Sequence, residues 1–63
     1  MTYTREQLQR FIDEIRDEGP AHGLTDRERD LVDSFAEQLE QRGTLSERQQ
    51  EVLDRIYAER TPL

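Results

Sequence analysis

The sequence predicts an all-α fold, a small three-helix bundle with helices at about 4–18, 25–42 and 46–60 in one domain, 1–63. Three observations carry that prediction. Apolar residues recur at helical spacing in three separate sets. A serine or threonine cap precedes each set, with glutamine or glutamate three residues on. Glycine or proline follows each set.

The first helix opens at Thr4, which forms a capping box with Gln7, and Tyr3 with Leu8 occupies the two positions of a hydrophobic staple. Leu8, Phe11, Ile12 and Ile15 follow as one stripe. Gly19-Pro20 should end it, with Gly19 as a left-handed cap and proline refusing continuation. Ala21, His22 and Gly23 then make a short loop. Thr25 with Glu28 caps the second helix, whose buried stripe is Leu31, Val32, Phe35 and Leu39, with Ala36 at its margin. Gly43 follows as the C-cap. Ser46 with Gln49 caps the third helix, which buries Val52, Leu53, Ile56 and Tyr57 and stops at Thr61-Pro62.

The second and third units align over Leu24/Leu45, Thr25/Ser46, Leu31/Val52, Val32/Leu53 and Phe35/Ile56, with caps 21 residues apart. Duplication would give such a period, and so would similar helices joined by similar loops. A core of this size supplies only about 3–5 kcal/mol, so a monomer or a weak homodimer is expected.

Composition narrows the function. Of 63 residues, nine are basic, all of them arginine, and fifteen are acidic, which leaves a net charge of −6. Phosphate neutralisation supplies most of the affinity of nucleic-acid binders, so direct nucleic-acid binding is disfavoured. An anionic membrane surface is disfavoured on the same ground. No apolar run approaches the length of a membrane span. The chain has no cysteine, which excludes disulfides and thiolate metal sites and fits a cytoplasmic protein.

The second helix carries the one informative surface pattern. Asp26, Asp30, Asp33, Glu37 and Glu40 recur at steps of four, three, four and three, so they share a band opposite the apolar stripe. Like charges at this spacing cost roughly 0.2–0.5 kcal/mol per pair. Replacing Asp33 with lysine should therefore stabilise the helix. A solvated face accounts for such a band. The functional reading is a negative ridge that docks on a partner protein with a basic surface, in its sharpest form by imitating phosphates. Glu6→Arg10 and Glu51→Arg55 are expected as supporting ion pairs.

Chemistry finds little to work with. An exposed carboxylate ridge lacks the water-excluding pocket that acid–base catalysis needs, and the aspartates do not follow the calcium-loop pattern. His22, the single histidine, has no cysteine or second histidine to share a metal. No enzyme activity and no cofactor are expected. A second functional class is a nucleic-acid-binding accessory protein that uses Arg48, Arg55 and Arg60 of the third helix, with Glu51 and Glu59 among them.

Two stretches resemble known families. Leu24-Thr25-Asp26-Arg27-Glu28-Arg29-Asp30-Leu31 looks like the opening of the helix-turn-helix domains of LuxR-type response regulators. That family continues into a helix rich in small and basic residues, where this chain has Gln49, Gln50 and Glu51. A longer match comprises Leu24-Thr25, Phe35, Gln38, Arg42-Gly43 and Leu45-Ser46-x-x-Gln49-x-x-x-Leu53-x-x-Ile56-Tyr57. It resembles a short helical module of uncharacterised phage and mobile-element proteins. This resemblance implies a helical fold and a setting among proteins of nucleic-acid metabolism or defence, with no catalytic residue. Many members of that module carry an aromatic soon after the first cap, where this chain has Arg27.

Overall fold

All three capping boxes form. In a computed structural model that describes residues 3–61, α1 spans Arg5–Glu18, α2 Asp26–Arg42 and α3 Glu47–Arg60. Thr4, Thr25 and Ser46 each accept a hydrogen bond from the backbone N–H three residues on, and Gln7, Glu28 and Gln49 reach back in return. Each box satisfies donors that the first turn of a helix cannot pair. Its residues therefore fix where each helix starts.

The α1 stop differs from the expectation. Gly19 is not left-handed. It has φ −53° and ψ −44° and starts a short 3-10 turn, Gly19–His22, with Pro20 in its first positions. Proline disfavours helical backbone in the residue before it through clashes with that residue's N–H and Cβ, and glycine lacks the second. Gly23 is the left-handed residue instead, with φ 87°, so the expected loop is an ordered turn closed by this glycine. Gly43 takes the expected left-handed cap after α2. Gly19 has a second use, because a Cβ there would lie only 3.1 Å from Leu24 Cδ2. Thr61 ends α3 in extended backbone and donates its N–H to Tyr57 O at 3.2 Å, while Pro62 lies outside the described residues.

The three helices share one core. Leu8, Ile12 and Ile15 of α1 meet Val32, Phe35 and Leu39 of α2, with Leu53 and Ile56 of α3. Leu45, just before the third cap, is buried with them. Phe11, Tyr57 and Val52 are only half-buried, a departure from the expected stripes. Tyr3, Phe11 and Tyr57 form an aromatic row, with ring centroids 5.0 and 4.6 Å apart. α1 packs closely on both neighbours, and α2 and α3 touch each other least.

Leu31 overturns one expected core position, since it is 40% exposed. At about 100° per residue it lies roughly 70° from the mean direction of Val32, Phe35 and Leu39. Ala36 is about as far off on the other side, which Asp33 shows to face α1 through its bond to Arg16. Leu31 faces the looser side. Val32/Leu53 and Phe35/Ile56, which align between the second and third units, are buried in both.

Gln50 was not legible as an interior residue. It is 3% exposed, and its amide joins two backbone segments: it donates to Leu45 O at 2.7 Å and accepts from Tyr3 N at 2.9 Å. One side chain thus ties the residue before the first cap to the residue before the third. Its place one turn before Leu53, on the inner stripe, is the signal that could have found it.

Candidate functional face on the second helix

All five ridge carboxylates, Asp26, Asp30, Asp33, Glu37 and Glu40, are exposed on α2. From Asp26 to Glu40 the band runs about 21 Å along the helix. They are not equivalent. Arg16 of α1 donates from Nη2 to Asp33 Oδ1 at 2.8 Å, so Asp33 belongs to the α1–α2 seam. Gln41 donates to Glu37 at 3.4 Å. Among the described residues, no arginine lies within ion-pair distance of Asp26, Asp30, Glu37 or Glu40. Those four make up the unneutralised part of the ridge.

The Asp33 pairing reverses the expectation for its lysine variant. The Arg16–Asp33 pair is half exposed, at 46% and 52% of its side chains, so it contributes at most about 0.2–1 kcal/mol. A lysine at position 33 would lose it and place a cation beside Arg16. Asp30→Lys has no such loss and relieves repulsion with Asp26. We expect Asp30→Lys to raise urea-denaturation stability at low salt by a few tenths of a kcal/mol. Asp33→Lys should leave stability unchanged or lower it. An equal gain from both variants would show that Arg16 does not engage Asp33 in solution.

The expected pairs within helices give way to others. Arg10 lies 3.7 Å from Glu14, its partner one turn on, and not beside Glu6. The Glu51–Arg55 pair is absent among the described residues. Arg60 instead donates from Nε to Glu28 Oε1 at 3.0 Å, with both side chains mostly covered. The same Glu28 oxygen accepts from Thr25 N at 3.1 Å, so one carboxylate caps α2 and holds the end of α3. The Thr25 backbone N–H does most to hold Glu28 below the usual carboxylate range, and burial opposes this while Arg60 assists.

That arrangement alters the arginine set of the second functional class. Arg60 is spent on Glu28 and Glu59, which leaves Arg48 and Arg55 exposed on α3. His22 is exposed in the 3-10 turn. Two tyrosines sit against carboxylates: Asp54 accepts from the Tyr3 hydroxyl at 3.2 Å, and Glu14 faces Tyr57. Each carboxylate, with burial second, raises the phenol pKa. Glu14 Oε2 is buried and has no partner in good hydrogen-bond geometry among the described residues, so its effect on Tyr57 is that of a close neighbour and not of a well-formed bond.

The described residues include no group of three or more histidine, cysteine, aspartate or glutamate side chains placed to hold a metal ion. No described helix is long and apolar enough to cross a membrane. In the longer motif, Leu45, Leu53 and Ile56 are core, Ser46 caps α3, and Gln49 both caps it and donates to Gln38 at 2.8 Å. The motif residues therefore build the fold. No protein-family model, curated protein or solved structure matches this chain.

Proposed function

We propose that this chain is a non-catalytic, acidic helical interaction module that binds a basic surface of a protein of nucleic-acid metabolism or defence. The observation that carries the reading is the exposed row Asp26, Asp30, Glu37 and Glu40, none of which is ion-paired with an arginine among the described residues. Retaining like charges in one row costs helix stability, and binding gives that cost a use. A regular line of carboxylates on a rigid rod is suited to a basic groove that otherwise holds phosphates. The resemblance to phage and mobile-element modules agrees with such a target, and a cytoplasmic setting goes with it.

The test separates binding from stability. Asp30→Lys combined with Glu37→Lys should raise the melting temperature at low salt while abolishing capture of the partner from source-cell extract. Duplex DNA should displace the captured protein from the wild-type domain, and rising salt should weaken capture steeply. Equal recovery by wild type and the double variant would remove the ridge from the function.

A further inference from the structure

A cleft adjoins the ridge. It is formed where the end of α1, the 3-10 turn and the middle of α2 meet, and has a volume of about 350 Å³. Pro20, Leu24 and Val32 give it apolar walls, and Arg16, Arg29 and Asp33 complete its lining. The other surface cavities described have no more than a single apolar lining residue each. The size is at the small end of ligand clefts, which run from about 300 to 1,000 Å³.

Its walls are held in place. Leu24 donates its backbone N–H to Gly19 O at 2.9 Å, and Gly19, lacking Cβ, lets the Leu24 side chain lie against the turn. Val32 is anchored in the core. Arg16 lies 2.8 Å from Asp33 on the side shared with the ridge, where the half-exposed pair joins the cleft to the carboxylate band. A cleft fixed before binding spares a partner the cost of ordering it.

Charge decides what fits. Two guanidinium groups line the cleft and its one carboxylate is already paired, so a cation is repelled there. The carboxylates Asp30 and Glu37 beyond Asp33 attract cations, and anions are disfavoured by the net charge of −6. A neutral apolar side chain suits the walls, which arginine stems can extend. We propose that the Pro20–Leu24–Val32 cleft seats one aliphatic side chain of the protein partner, flanked by that partner's cationic residues on the ridge. This rests on the ridge reading above and adds the anchor that concentrates binding energy in a pocket.

Two capped cationic heptapeptides test it, identical except for leucine or serine at the centre, titrated into isotope-labelled domain and followed by NMR. The leucine peptide should bind roughly tenfold tighter, the gain expected from burying one such side chain. The methyl signals of Leu24 and Val32 should shift with leucine only, while Asp30 and Glu37 amides shift with both. Pro20→Ser, at an exposed position, should bring the two affinities together without altering the circular dichroism. Equal affinities with shifts confined to the ridge would overturn the cleft and leave the ridge standing. Failure of both peptides to shift ridge signals would overturn both.

Discussion

Phe35→Ala is expected to cost about 3–5 kcal/mol, the usual range for emptying a large aromatic site. Phe35 lies at the centre of α2's inner face, one turn from Val32 and one turn from Leu39, and all three are buried. A core of this size supplies only about that much stability in total. Most of the variant should therefore be unfolded at 25 °C, with weak helical circular dichroism and no cooperative melt. Leu31→Ala is the internal control. Leu31 is on the same helix and nearly as apolar, but its exposed side chain contributes little to the core. Its cost should stay within about 0.5 kcal/mol, as for other surface changes. Full helicity and a cooperative melt for Phe35→Ala would refute the bundle, and comparable damage from Leu31→Ala would refute the assignment of faces.

The contrast between these two residues shows where sequence reading succeeds and where it stops. Thr4/Gln7, Thr25/Glu28 and Ser46/Gln49 were legible because a capping box is closed within four consecutive residues. The core was legible where several apolar residues agreed on one direction. Leu31 was not, because its burial depends on how far α3 stands from α2, which no local pattern encodes. Gly19 and Gly23 show the same limit. Both are in the same turn, and which one goes left-handed follows from how the whole turn closes, as 3-10 from Gly19 with the Gly23 and Leu24 N–H groups both donated back to Gly19 O.

The ridge divides in the same way. Exposure of its five carboxylates follows from being opposite the stripe, so the sequence sufficed. The tie from Asp33 to Arg16 crosses between helices over 17 residues of chain, and Arg60 to Glu28 crosses over 32. Local rules instead favoured Glu6–Arg10 and Glu51–Arg55, pairs worth only a few tenths of a kcal/mol; Arg10 turns to Glu14, and Glu51 and Arg55 stay apart among the described residues. The cleft beside the ridge was illegible for a similar reason. Pro20, Leu24 and Val32 come together only once the turn has folded back on α2.

Gln50→Leu should destabilise the domain by about 1–3 kcal/mol although it replaces a buried polar residue with an apolar one. The reason is that both ends of the amide are engaged, the oxygen by Tyr3 N–H and the nitrogen by Leu45 O. Leu45 O can only accept and Tyr3 N can only donate, so the partners fix which end of the amide faces each. Leucine would remove the amide's bond to each backbone group, leaving Leu45 O only the longer 3.4 Å bond from the Thr44 hydroxyl. Gln50→Glu gives the sharper outcome. Its carboxylate could still accept from Tyr3 N, but the other oxygen would face the Leu45 carbonyl, and a buried charge would meet a lone pair. Burial and that carbonyl both favour the protonated acid, which can donate as the amide does. The folded-state pKa of this new glutamate should therefore exceed its unfolded value of about 4.3. Its penalty should be near zero below that value and grow as pH rises above it, reaching its full size once the folded-state pKa is passed. Measured as the stability difference from wild type between pH 4 and pH 8, Gln50→Glu should worsen with rising pH, while Gln50→Leu should stay flat. A flat Gln50→Glu difference would mean that position 50 is open to water and that the clamp between Tyr3 and Leu45 does not hold the bundle together.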